Sequence, residues 1–292
     1  MVKKYFITGA TGNVGSAVLD EFVGRGIPVY IGSKRTTQTL EFENGVFEVP
    51  FDYEDAASVD MALKGVDTLF LMTPVTDKQV FWATRAIDLA IKNGVKHIVR
   101  LSVAAAAMVP GIQLGRWHRT VERYLQGSGI DWTIIRPVPY MQNFLGLFSR
   151  SPRGDYTVPL SNGQISFVDA QDVGKFAAWS MIDETASNQV YLVSGDEVMS
   201  VDDAVGQIND MLGLRISYCG FDMETWQSIT RTSGERPEWL IQILSELFGV
   251  LGGGAVTMTN DTFQQALGAQ PSSFGEFITR EKSGFHRKFK QT

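Results

Sequence analysis

The stretch YFITGATGNVG, residues 5–15, limits what this chain can fold into more than any other. A β-rich run, Tyr5–Thr8, meets glycines at positions 9, 12 and 15, and helical spacing then covers Val14–Arg25 up to a stop at Gly26. Glycines in such a turn let the backbone bend sharply and approach a bulky anion. The unpaired amides at the start of the helix then attract a diphosphate. Three glycines alone carry little information, but between a strand and a helix they have the context this chemistry requires. Gly9, Thr11, Gly12, Asn13, Val14 and Gly15 are therefore expected to cradle the phosphates of a dinucleotide.

The same alternation continues. Strands are expected at Pro28–Gly32, Gly45–Val49, Thr68–Met72, His97–Leu101 and Trp132–Ile135. Helices are expected at Ala56–Lys64, Lys78–Asn93 and Arg116–Gln126. Strands and helices alternating at these lengths predict an α/β fold, a Rossmann-type doubly wound parallel sheet. Beyond Arg150 the pattern loosens into the turn-rich run SRSPRGDYTVPLSNGQ. This predicts a dinucleotide-binding unit over residues 1–150 and a smaller, mostly helical C-terminal substrate lobe over 151–292. The segment 189–194 is expected to return to the main sheet as a strand. In the lobe, Ile165–Val168 reads as a strand, and Val173–Met181, Ser200–Leu212, Thr225–Gly249, Thr262–Leu267 and Phe274–Arg280 read as helices, with Ser200 as an N-cap.

Composition removes several function classes. A net charge of −6 with no Lys/Arg run argues against a nucleic-acid surface. One cysteine, Cys219, forms no internal disulfide, and with only His97, His118 and His286 beside it no metal site is expected. Glycines interrupt both the N-terminal apolar run and the tract Phe248–Met258, so neither a secretory leader nor a membrane span is expected. The expected location is cytoplasmic, with no membrane partner.

The end of the second strand reads IGSKRT. NAD sites usually carry a carboxylate there for the ribose 2′-hydroxyl. Ser33, Lys34 and Arg35 offer instead a hydroxyl and two cations, and arginine forks well onto phosphate oxygens. Either this is a solvated basic turn or the cofactor is NADP(H), which is the expectation adopted.

Taken with TGATGNVG, the blocks FDYEDAASVDMALKGVDTLFLMTP, NGVKHIVRLS, GRWHRTVERYLQGSGIDWTIIRP, MQNF, FVDAQDVGKFAA and YLVSGDE resemble the NmrA-like group of atypical short-chain dehydrogenases/reductases. The resemblance implies that Asp52 approaches the adenine, that Thr73 and Pro74 line the cofactor's central stretch, and that Asn143 lies near the nicotinamide. It implies one of two functions. The first is an NADPH-dependent reductase of a hydrophobic quinone, enone, imine or iminium, or carbonyl. The second is a redox-sensing regulator that binds NADP(H) and acts through a protein partner. A non-redox isomerase or cyclase on the same fold is a third reading.

In the wider superfamily a tyrosine donates the proton and a lysine four residues later tunes it. Anchoring on Glu122 puts His118 at the lysine position, Leu114 at the tyrosine position and Ala104 near the serine position, leaving only Ser102 as a hydroxyl, which is expected among the cofactor-binding residues. His118 and Glu122, four apart on one helix, are expected to pair, which would favour the imidazolium. His118 is then a ribose ligand, a proton donor or a purely structural partner. Tyr140 is a second donor candidate or a pocket-wall aromatic. An electron-poor acceptor would need no strong acid, because hydride transfer then rests on proximity and orientation. The segment PEWLIQILSELFGVLGGGAVTM offers Trp239, Leu240, Ile243, Leu244 and Phe248, hinged at Gly249 and Gly252–Gly254. These residues either wall such a substrate or pack the small lobe's core.

Overall fold

The computed structural model describes residues 3–109, 111–146, 149–150, 156–157, 162–216, 223–234, 236–254 and 256–289. Short apolar strands are joined by amphipathic helices in the order β1 (Tyr5–Ile7), α1 (Asn13–Gly24), β2 (Val29–Ser33), β3 (Leu40–Glu41), β4 (Val46–Pro50), α2 (Ala56–Ala62), β5 (Thr68–Leu71), α3 (Gln79–Lys92), β6 (His97–Leu101), α4 (Gln113–Gln126) and β7 (Asp131–Pro137). A 3₁₀ turn, Ala104–Ala107, stands between β6 and α4. There follow α5 (Asn143–Gly146), the antiparallel pair β8 (Ser149–Arg150) and β9 (Tyr156–Thr157), β10 (Ile165–Ser166), α6 (Ala170–Ile182), β11 (Gln189–Val193) and β12 (Val198–Met199). The chain closes with α7 (Val201–Leu212), α8 (Met223–Ser233), α9 (Glu238–Gly252), α10 (Thr262–Leu267), α11 (Phe274–Arg280) and α12 (Lys282–Lys288).

The main sheet has eight strands in the order β11-β7-β6-β5-β1-β2-β4-β3. Every pairing is parallel except β3 with β4. From β1 the chain goes to β2 on one side and later to β5 on the other, so the winding direction reverses at β1. Ligands of open α/β sheets settle outside the strand carboxyl ends at such a reversal. The glycine turn leaves β1 at that place.

Strand alternation fills two layers. Ile7 and Phe70 point to the face covered by α1 and α6, while Phe6, Leu69 and Leu71 point to the face covered by α2, α3 and α4. The first pair of helices approaches closely, because a Cβ on Gly174 would lie 2.3 Å from the Ala17 methyl. Thus α6 and β11, both later than residue 150, build into the main layers. A third apolar cluster joins Ala105, Ile112 and Leu114 to Ile243, docking α9 onto the start of α4.

Several features differ from the sequence expectation. Strand β3 is an additional, exposed edge strand that has too few residues to show a period. Helix α4 begins at Gln113, three residues early, because α9 caps its first turn. The single helix expected over Thr225–Gly249 is two, α8 and α9, since Gly234 takes φ +65° and Pro237 brings no amide hydrogen to continue the ladder. Helices α5 and α12 and the two-residue strands β8, β9 and β12 have no counterpart in the sequence expectation. Ser200 caps α7 as expected, in a reciprocal capping box with Asp203. Cys219 and most of the loop 151–161 lie outside the described residues. No helix among the described residues is long and apolar enough to cross a membrane.

Candidate active site

Gly9 leaves β1 at φ +67°, a left-handed conformation that glycine adopts freely, and its carbonyl accepts the Gly12 amide at 3.0 Å. A Cβ on Gly15 would sit 2.1 Å from that same carbonyl oxygen, so the helix can start this close to the turn only with glycine there. Gly12 is the N-cap of α1; no side chain caps the helix, and its first turn holds no acid. The amides that an α-helix leaves unpaired at its start are thus free of a side-chain acceptor. Thr11 and Asn13 are exposed beside them, and Val14 is buried. The residues fit a diphosphate.

The Thr8 hydroxyl lies 2.9 Å from the Phe70 carbonyl and 3.0 Å from the Met72 carbonyl, and accepts the Met72 amide at 2.8 Å. This fixes the turn to the segment that follows β5. Thr73 in that segment is buried and Pro74 is exposed.

At the end of β2 the Ser33 hydroxyl accepts the Arg35 amide at 3.1 Å. Lys34 is ion-paired with Asp52 at 2.8 Å, a partnership set up by the β2–β4 register, in which Ser33 stands beside Pro50. The Lys34 hydrogen bond, followed by the Glu54 amide, holds the Asp52 carboxyl below its usual range. Arg35 is exposed and no carboxylate pairs with it among the described residues. Of the two cations expected at a 2′-phosphate, Arg35 is therefore the uncommitted one.

The expected His118–Glu122 pair does not form. Both residues are buried, at 7% and 2% exposure, but the Glu122 carboxylate turns toward the sheet. It accepts the Ser102 hydroxyl at 2.5 Å and a two-pronged grip from Arg136, at 2.9 Å from Nε and 2.5 Å from the terminal nitrogen. Spacing on a helix shows which side chains are neighbours and says nothing of what lies beneath them; here two strand residues claim the carboxylate first. Nδ1 of His118 has no hydrogen-bond partner among the described residues. Burial, and then the nearby Arg100 charge, hold the ring well below its ordinary pKa. His118 is thus a neutral imidazole at pH 7, not the imidazolium the sequence suggested. The Ser102 hydroxyl proton is committed to Glu122.

Tyr140 follows β7, half-buried and bridged to Val168. Burial pushes its phenol above the usual range, so it keeps its proton at neutral pH. The Asn143 amide donates to the Tyr140 carbonyl at 3.0 Å and opens α5. The glycine turn, Ser33–Arg35, Thr73, Pro74, Ser102, Tyr140 and Asn143 all follow strand carboxyl ends, so the topology gathers them on one edge of the sheet.

The tail residues Trp239, Ile243, Leu244 and Phe248 named in the sequence reading pack inside the protein. Phe248 is core, edge-on to Trp226 at 5.1 Å, and Ile243 packs against Ala105 and Leu114. Trp239 is half-buried, 6.3 Å from the ring of Trp117 on α4. Glu246 accepts the Gln113 amide at 2.6 Å, so α9 caps the helix that carries His118.

Sequence reasoning missed Arg100 and Gln79. Arg100 is 1% exposed on an otherwise apolar strand; it donates to the Leu71 carbonyl at 3.0 Å and the Thr73 hydroxyl at 3.1 Å. Its Nε, and both polar atoms of the buried Gln79 side chain, have no partner among the described residues. A cation at an inward position of the run HIVRL was the available signal.

The model of the NmrA-like family matches residues 1–278. The chain is similar to the NAD(P)H azoreductase of Xenophilus azovorans, 27% identical over 282 residues, 96% of this chain and 98% of that one. Among solved structures it is similar to a nucleoside-diphosphate-sugar epimerase from Staphylococcus aureus, with TM-score 0.81 and 20% identity over 94% of this chain and 99% of that one. It is also similar to the triphenylmethane reductase of Citrobacter sp. complexed with NADP(H), with TM-score 0.79 and 19% identity over 95% of this chain and 99% of that one.

Proposed function

This chain belongs to the NmrA-like family, and from that premise we propose that it is an NADPH-dependent reductase of a hydrophobic small molecule with an electron-poor acceptor group. The observation that carries the reading is the uncapped, acid-free start of α1 behind a turn that only glycine fits, with the uncommitted Arg35 at the end of β2. The likenesses to an azoreductase and a triphenylmethane reductase support it at the level of a reductase of a small organic molecule.

Bound NADPH supplies the hydride. The residues bind, orient and exclude water. The amides after Gly12 hold the diphosphate. Arg35 takes the 2′-phosphate, with Lys34 shared between it and Asp52. Thr73 and Pro74 line the middle of the cofactor, and Asn143 stands near its nicotinamide. Tyr140 holds a proton at its hydroxyl, and His118 is a neutral hydrogen-bonding group beside the ribose or substrate. No residue here matches the Tyr–Lys pair of the wider superfamily, which suits an acceptor that takes hydride without simultaneous strong-acid help.

The test is NADPH oxidation at 340 nm with a panel of azo compounds, quinones, enones and cyclic imines. Turnover on at least one supports the reading. Tight NADPH binding with no turnover on any overturns it in favour of a redox-sensing regulator with a protein partner.

A further inference from the structure

Arg100 presents an electrostatic problem that the binding scheme above does not use. The guanidinium is buried at the carboxyl end of β6, and its two hydrogen bonds go to neutral oxygens of Leu71 and Thr73. Glu122 is the carboxylate close enough to influence it, and Glu122 is already saturated by Arg136 and Ser102. Tyr53, the other ionisable group near it, keeps its proton, because burial pushes the phenol to about 12. On α4, Arg119 binds the Ala106 and Met108 carbonyls, and His118 is neutral. Arg100 in the interior and Arg136 at its rim therefore face one carboxylate, leaving an excess positive charge among the described residues. Burying a cation without a counter-ion is strongly unfavourable, and its field carries further than in water. It lies beside Thr73, at the sheet edge where the cofactor and acceptor are placed.

We propose that Arg100 is the specificity-determining charge of this site, selecting neutral acceptors that become anionic as they are reduced and rejecting cationic ones. The inference rests on the reductase reading. An acceptor gains one hydrogen with its electron pair from the dihydronicotinamide, which is oxidised to the nicotinamide cation. A neutral quinone or enone becomes a phenolate or enolate, whose new negative charge Arg100 stabilises before water returns a proton. A cationic triarylmethane dye instead becomes neutral, and must first be brought next to a buried cation. Arg100 touches neither partner, so it acts through its field and is not a catalytic residue.

The experiment compares kcat/KM for a neutral 1,4-naphthoquinone and for crystal violet, in wild type, Arg100→Met and Arg100→Lys, with the His118 ring followed by NMR against pH in the same proteins. Wild type is expected to favour the quinone. Arg100→Met should cut the quinone-to-dye ratio by about tenfold or more, while Arg100→Lys should keep it within about threefold. The His118 pKa should rise in Arg100→Met and stay near the wild-type value in Arg100→Lys, which keeps the charge; loosened packing, which relieves burial, would raise it in both variants. Equal wild-type turnover of both acceptors, a ratio unmoved in Arg100→Met, or an unmoved His118 titration would overturn the inference; the first needs no variant to fold. Absence of turnover with either acceptor is a different failure, which removes the reductase reading and this inference with it.

Discussion

Gly15 stands so close to Gly9 that a Cβ on the former would come 2.1 Å from the carbonyl oxygen of the latter. The start of α1 and the turn behind it are one interlocked piece of backbone. Gly15→Ala is expected to weaken NADPH binding at least tenfold and to lower stability by about 1–3 kcal/mol, the usual range for overpacking. Gly206, inside α7 with open space around it, is the control. Gly206→Ala should leave NADPH affinity alone and add about 0.5–1 kcal/mol. Calorimetric binding and urea unfolding of both variants check this.

The basic corner yields a graded series. Arg35→Ala should weaken NADPH by about 10- to 100-fold, as expected for losing a charge-assisted contact, and change NADH by less than about twofold. Lys34→Ala should cost less, because Lys34 already shares its charge with Asp52. Asp52→Asn should preserve or tighten NADPH binding by releasing Lys34. Equal loss of NADPH and NADH in Arg35→Ala would refute the 2′-phosphate assignment.

Glu122 holds Ser102 and Arg136 together from a site that water barely reaches. Glu122→Ala leaves a guanidinium without its counter-ion and should destabilise by about 3 kcal/mol, the low end for a broken buried pair because Arg136 keeps 22% of its side-chain surface exposed. Arg136→Lys should fail to restore the two-pronged grip. Chemical denaturation of the single and double variants gives the coupling.

His118 fixes a pH dependence. Its folded pKa is depressed, so the unfolded chain binds the proton first and stability is greatest above the ordinary histidine value near 6.5. As pH falls below that value, stability should fall, by up to about 1.4 kcal/mol per pH unit for one such group. Burial also depresses His97, which adds in the same direction. His118→Gln should therefore flatten, without abolishing, the loss between pH 6.5 and 5; an unchanged slope would show that the ring is not held neutral.

How much of this was visible in the sequence depends on how local each feature is. The glycine turn is contiguous and its chemistry lies in backbone freedom, so residues 5–15 were enough. β11 was readable because Gln189–Val193 has a strand's length and β-branched content. Contacts set by the sheet were not readable. Lys34 meets Asp52 only through the β2–β4 register, and Glu122 meets Arg136 rather than His118 because β7 lies under α4. Arg100 is the hardest case, since one charged letter in an apolar strand signals an exposed edge or a buried function equally well. Where α9 closes on α4, Glu246 and Gln113 are too distant in the chain for any periodicity to connect them.

Titrating the purified chain with NADPH and with NADH in a calorimeter tests the central claim most directly. The account predicts one NADPH per chain, bound at least tenfold tighter than NADH, with that advantage lost in Arg35→Ala. No binding of either nucleotide, or NADH bound as tightly as NADPH, would contradict it.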